Sequence, residues 1–368
     1  MDTFGPLPVL TPEEQAKRDG HVRWRQQADQ RNREKMLRRQ RELRRRAAQI
    51  AYAIDAYKDI DSTSGDPILI RTDFVRLPTA RPHVPFTAIT DELETRPPMT
   101  RLIAAAGGNA LPTYLTMLYV AQQEGTPGSS YTYDRNNTTG EIGQPAWARL
   151  AGLQQPRSRP NSGRNPAPAA ATIDPALRFR QSRRAFNTAL KQLHTHGLIT
   201  PREGATGTAG TYTGFRVLAD DGTGLEYIVP GQGASNVKAL RIPEAFFRQG
   251  WHLVLTPSEI AVLLAIIDRT GHLRLARRDG TVADTGVDLK ESVRRDFYGL
   301  SGEAYEAVHV LDALGLITCL DPMPDRSKVS PDQRLPFRLF YPASTQQALG
   351  APFERDAFAA VSALLGAR

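Results

Sequence analysis

Two stretches 118 residues apart share the same landmark: Leu193-His194-Thr195-His196-Gly197-Leu198-Ile199-Thr200 and Leu311-Asp312-Ala313-Leu314-Gly315-Leu316-Ile317-Thr318. Leu, Gly, Leu, Ile and Thr match in register, and each copy sits at the same place in the same order of elements. A repeat of element order points to two copies of one small fold within the chain. The second copy is the more legible. Thr256-Pro257-Ser258-Glu259 is a capping box with proline at the first helical position. Ile260, Leu263, Leu264 and Ile267 then mark one apolar helical face. A hairpin-like Arg278-Asp279-Gly280-Thr281 follows. Leu289, Val293 and Phe297 give a second helix, interrupted at Gly299-Leu300-Ser301. A third helix carries Ala304, Val308 and Leu311, and Gly315 stops it. A strand starts over residues 316–320 and returns over 337–341. In the first copy, residues 111–120 and 186–200 hold the matching places.

Helix, helix, turn, helix and two-stranded hairpin is the order of a winged helix-turn-helix. The Leu311-x-x-Leu314-Gly315-Leu316-Ile317 ending ahead of a hairpin resembles winged-helix DNA-binding domains. Two such units in tandem, with Arg-Ile-Pro-Glu-Ala-Phe-Phe (241–247) leading into Leu-Thr-Pro-Ser-Glu-Ile-Ala-Val-Leu-Leu-Ala-Ile (255–266), resemble plasmid-type replication initiators. The resemblance covers residues 100–342. It implies a mainly α fold with small β-hairpins (α+β), double-stranded DNA as partner, and work in replication initiation or transcriptional control of a bacterial plasmid or mobile element. Chromosome-segregation proteins also use tandem winged helices. A structural adaptor that binds mainly protein therefore stands as the alternative.

The expected layout is a basic N-terminal helix or arm (1–60), a proline-rich linker (61–98) with one short strand at 68–70, winged-helix domain 1 (99–222), winged-helix domain 2 (236–342) and a C-terminal amphipathic helix (343–368). Domain 1 carries a Pro/Arg/Asn/Ser-rich insert at 153–173, and its Gly/Thr-rich stretch 204–214 falls where a wing tip belongs. In the arm, Thr11-Pro12-Glu13-Glu14 starts a helix, and good helix formers continue to about Lys58. A partly disordered basic arm is the other reading.

Charge points to a polyanion. The chain carries 47 basic and 39 acidic residues, a net +8. Residues 17–46 alone hold 13 Lys or Arg against four acids, a surplus of nine, so the remainder is close to neutral. Arg38, Arg39, Arg41, Arg44, Arg45 and Arg46 form the densest run.

The third helix of the first copy has two stripes. Phe179, Phe186, Leu190 and Leu193 make an apolar one, expected to be buried. Arg180, Arg184, Asn187 and Lys191 make a polar one, flanked by Arg178 and Arg183, with no acid from residue 178 to 191. Arginine pairs bidentately with guanine and asparagine with adenine, whereas lysine and flanking arginines suit phosphates. The plain alternative is a solvated basic face. Arg157, Arg159 and Arg164 in the insert read as an extra phosphate-contacting arm or as part of a tolerated surface insertion. The second copy differs. Its outward residues Glu303, Glu306, His309 and Asp312 would repel phosphate, leaving Lys290, Arg294 and Arg295 on the preceding helix and Arg326, Lys328 and Arg334 in the wing as its cations. That module is either a backbone-contacting unit or a surface for protein, including a second copy of the chain. The C-terminal Phe353, Ala357, Phe358, Val361, Leu364 and Leu365 pack on the body or dimerise.

Enzyme and metal readings fare poorly. Gly204, Gly207 and Gly210 lack the dinucleotide or phosphate-loop pattern. His194 and His196 have no third ligand nearby and sit at a helix end, where the helix dipole favours histidine. No catalytic triad or carboxylate pair stands out, and no cofactor is expected. One cysteine, Cys319, allows neither an intramolecular disulfide nor a cysteine-clustered zinc site. Apolar runs such as residues 260–267 are too short to span a bilayer, and residues 1–12 lack the pattern of a secretion signal. A cytoplasmic, nucleoid-associated protein without a membrane partner is the expectation.

Overall fold

The computed structural model describes residues 12–60, 66–81, 95–103, 108–131, 135–139, 144–154, 175–201, 212, 214–231, 238–276, 286–320, 339–342 and 352–367. These form two compact units, Met1–Arg46 with Ser362–Arg368, and Ala47–Val361. Helix α1 is Pro12–Tyr57 and passes through Gly20 unbroken. Strand β1 (Ile68–Arg71), helix α2 (Thr72–Val75) and helix α3 (Pro98–Ile103) precede the first repeat. That repeat is α4 (Ala110–Glu124), α5 (Trp147–Leu150), α6 (Pro175–Thr195), β2 (Ile199–Pro201) and β3 (Phe215–Val217). Strand β4 (Ala239–Ile242) and helices α7 (Ala245–Arg248) and α8 (Trp251–Val254) lead to the second. It comprises α9 (Pro257–Ala276), α10 (Glu291–Asp296), α11 (Gly302–Tyr305), α12 (Val308–Ala313), β5 (Ile317–Leu320) and β6 (Leu339–Pro342), and α13 (Ala357–Gly366) follows. Among the described residues the fold is mainly helical, with antiparallel two-stranded sheets β1–β4, β2–β3 and β5–β6. No described helix is long and apolar enough to cross a membrane.

The landmark peptides adopt the same geometry twice. Gly197 and Gly315 end their helices at φ 68° and 67°, a left-handed conformation that costs a side chain strain. The following amide bonds back five residues each time, Leu198 to the Leu193 carbonyl and Leu316 to the Leu311 carbonyl, both at 2.9 Å. Both chains then enter an antiparallel strand, with Thr200 opposite Arg216 and Thr318 opposite Tyr341. Burial repeats at the same offset: Ser182, Phe186, Ala189, Leu190 and Leu193 are buried, as are Leu300, Ala304, Ala307, Val308 and Leu311. The second copy breaks its third helix between α11 and α12, where Glu306 and Ala307 form a turn. The capping box at the start of α9 is formed: the Thr256 amide donates to Glu259 at 2.9 Å, and the Glu259 amide donates to the Thr256 hydroxyl at 3.3 Å. Val287, ahead of α10, bridges to Phe340 and adds a single rung to the β5–β6 ladder.

The described part of the stretch expected as a linker is instead woven into the Ala47–Val361 unit. The expected strand at 68–70 is present as β1, and it pairs with β4 in the register Ile68–Ile242 to Arg71–Ala239. On its outer edge the Gln122 side-chain amide accepts from the Leu69 N–H at 2.8 Å and donates to the Leu69 carbonyl at 2.7 Å. Arg71 pairs with the fully buried Asp220, whose Oδ2 also accepts the Arg71 backbone N–H at 2.8 Å. Arg76 after α2 donates to Asp268 of α9 at 2.9 Å, and Tyr298 donates to the same carboxylate at 2.8 Å. Each contact satisfies a buried polar group that an apolar core alone would leave costly.

Helix α13 presents buried Ala357, Val361 and Leu365 one turn apart, with Phe358 and Leu364 half-buried. Phe353, just before it, lies edge-on to Trp251 and Phe246, and its carbonyl accepts the Trp251 indole N–H at 2.9 Å. In the unit Met1–Arg46 with Ser362–Arg368, Leu43 and Leu365 are both buried.

Candidate nucleic-acid interface

Helix α6 (PALRFRQSRRAFNTALKQLHT) contains no acidic residue. Its buried side seats Phe186 against Phe215 of β3, which in turn meets Trp147 of α5. The helix is thus held by the hairpin behind it and the short helix before it. On the other side Arg180, Arg183, Arg184 and Lys191 are exposed and Asn187 is half-exposed. None of these five side chains is engaged in an ion pair or side-chain hydrogen bond among the described residues. The threonines of this face are internally satisfied: Thr188 donates to the Arg184 carbonyl and Thr195 to the Lys191 carbonyl, each at 2.9 Å. The donors left for an outside partner are therefore the guanidinium, ammonium and carboxamide groups. Arg178 lies within the helix, but its side chain is outside the described residues, as are Arg157, Arg159 and Arg164 of the insert.

Phe179 corrects the expected buried stripe. It is 39% exposed, and Leu177 is 41% exposed. Ala176, Leu177, Phe179, Arg180 and Gln181 are all exposed, and Ser182 is the first buried position. The apolar period therefore runs ahead of the burial, which begins about two turns into α6, at Ser182. At 100° per residue, Leu177 falls on the phase of Arg180 and Arg184 at i+3 and i+7. Sequence reasoning missed this residue; a leucine on a cationic phase was the available signal.

The hairpin is anchored beside the far end of α6. Tyr212 approaches His194 Nδ1 at 3.4 Å, and its carbonyl accepts from the Asn137 carboxamide at 2.7 Å. Within the expected wing stretch, residues 204–211 and 213 are outside the described residues. His196 is half-buried, and burial followed by the charge of Arg101 lowers its pKa, favouring the neutral ring. No group of three His, Cys, Asp or Glu among the described residues could hold a metal ion.

The second copy presents the opposite charge. Glu303, Glu306, His309 and Asp312 are all exposed. His309 lies 3.6 Å from Glu306, and Asp312 accepts the Cys319 backbone N–H at 2.8 Å, tying α12 to β5. The cations of α10 are largely committed within the fold. Lys290, exposed, is 3.8 Å from Asp288; Arg294, half-buried, lies over the Tyr305 ring at 4.9 Å and donates to the Ser301 carbonyl; Arg295, half-buried, is 3.3 Å from Asp296. Arg326, Lys328 and Arg334 are outside the described residues.

In α1, Arg38, Arg41, Arg44 and Arg45 are exposed, and Arg39 and Arg46 are half-buried. Arg45 pairs with Glu42 at 2.8 Å, an exposed pair of little energetic weight. Arg41 donates to the Leu37 carbonyl at 3.4 Å. Comparison with protein-family models, curated proteins and solved structures finds no match for this chain.

Proposed function

We propose that this chain is a sequence-specific double-stranded DNA-binding protein with two tandem winged-helix domains, serving as a replication initiator or transcriptional regulator of a bacterial plasmid or mobile element. The observation that carries the reading is the acid-free face of α6, where four exposed cations and Asn187 stand without partners among the described residues. Helix α6 holds the place of a recognition helix. Its Arg180, Arg184 and Asn187 suit base edges, whereas Arg183 and Lys191 suit phosphates. The exposed arginines of α1 add sequence-independent, salt-sensitive affinity for the backbone.

The second module takes a different part. Exposed Glu303, Glu306 and Asp312 at the equivalent position disfavour phosphate and favour a protein partner, including a second copy of the chain. That observation keeps a structural adaptor, binding mainly protein in a DNA-maintenance complex, as the second reading.

Selection of random duplex DNA by the purified protein tests the proposal. Enrichment of one motif over successive rounds is the expected result. Recovery of DNA without sequence enrichment, or no recovery at physiological salt, favours the adaptor.

A further inference from the structure

We infer that Leu177 reads a thymine methyl group in the major groove, next to the base edges taken by Arg180 and Arg184. The inference rests on the DNA-binding reading and adds the base chemistry that α6 selects. Three observations on the same helix carry it.

First, Leu177 is an exposed apolar side chain in the first turn of α6, ahead of the buried stretch that begins at Ser182. Burying such a group is favourable, so its exposure in the free chain is a reserve of binding energy. Second, Leu177 lies on the cationic phase, one turn from Arg180 and two turns from Arg184. Phe179 is equally exposed, yet its position continues the phase of buried Phe186 and Leu190, on the other side of the helix. A surface that seats Arg180 and Arg184 therefore meets Leu177 and not Phe179. Third, the face is cationic and carries no acid, so charge complementarity selects a polyanion as occupant.

Among polyanions, duplex DNA offers an apolar group on a base edge inside a groove wide enough for a helix. That group is the thymine C5-methyl, and a side chain such as Leu177 can meet it by apolar contact. Seven residues of helix rise about 10.5 Å, about three base steps of 3.4 Å, so the thymine falls within about three base pairs of the guanine that Arg184 takes.

The test uses the full-length protein and its selected duplex. Each thymine in the site is replaced in turn by deoxyuridine, which removes only the methyl group. One position is expected to lose about fourfold in affinity, the worth of one buried methyl-sized group. Leu177→Ala should bind the thymine site several-fold more weakly and show a thymine-to-deoxyuridine ratio near one there. Phe179→Ala should keep the wild-type ratio, and Arg184→Ala should bind more weakly while keeping it. Leu177 is exposed, so an unchanged melting temperature accompanies the substitution. Selective binding in which no thymine shows a ratio, or in which Leu177→Ala keeps the full ratio, overturns the inference and leaves the DNA-binding reading standing. Failure to select any duplex sequence removes both.

Discussion

Lowering the pH from 8 to 5 should destabilise the Ala47–Val361 unit through one buried histidine. His252 of α8 is fully buried among Tyr57, Phe246 and Phe247, with Nε2 2.7 Å from the Tyr57 hydroxyl. Burial disfavours the imidazolium and pushes the pKa from 6.5 down to about 3. A depressed folded pKa gives stability that is complete above the unfolded value and is lost as pH falls from 6.5 toward 3, because the unfolded chain takes up the proton first. At pH 5 the loss is about 2 kcal/mol, and below pH 3 it approaches about 5 kcal/mol. Near pH 5 this site alone contributes a slope close to that of one full proton. Urea unfolding at pH 8, 6.5, 5.5 and 5 measures it, with His252→Gln as the comparison, since other histidines and the carboxylates titrate in both proteins. The variant should be less stable at pH 8 through poorer packing, yet flatter by nearly one proton at pH 5. Equal slopes in the two proteins would refute a neutral, buried His252.

Asp220→Ala leaves the Arg71 guanidinium without its buried partner and should cost about 3–5 kcal/mol, read as a fall in the urea midpoint. Gly315→Ala forces a side chain into φ 67° and should cost about 1–2 kcal/mol in the same assay, with no effect on DNA selectivity. Replacing Arg38, Arg41 and Arg44 by glutamine should weaken binding to all duplexes alike. The log–log salt slope should then flatten by about 0.9 for each phosphate that the arm no longer neutralises, whereas an unchanged slope would assign the arm to another partner.

The repeat was legible because its determinants are local. Gly197 and Gly315 stop their helices through their own backbone freedom, and the apolar period ahead of them marks which side faces the body. The cationic face of α6 was legible for the same reason, since charge and phase are sequence properties. The pairing of β1 with β4 was not. Four-residue strands at positions 68 and 239 carry no turn between them to announce the pairing, and Gln122 bonds to the edge through a side chain that no period predicts. Nothing local in the sequence sets Asp220 apart from its neighbour Asp221, although Arg71 makes it a buried partner. Phe179 shows the limit of periodicity from the other direction. The pattern gives a residue's phase on a helix, but only the packed neighbours decide where the buried stretch begins.

Competition between the selected site and random duplex, for Arg184→Ala and Asn187→Ala beside the wild type, tests the central claim most directly. Both side chains lie off the core, so both variants should melt as the wild type does. Each should reduce discrimination by about 1–3 kcal/mol, the worth of one bidentate pairing with a base, and non-specific binding should survive better in Asn187→Ala, which removes no charge. If both variants stay folded and keep the wild-type preference, α6 does not read sequence.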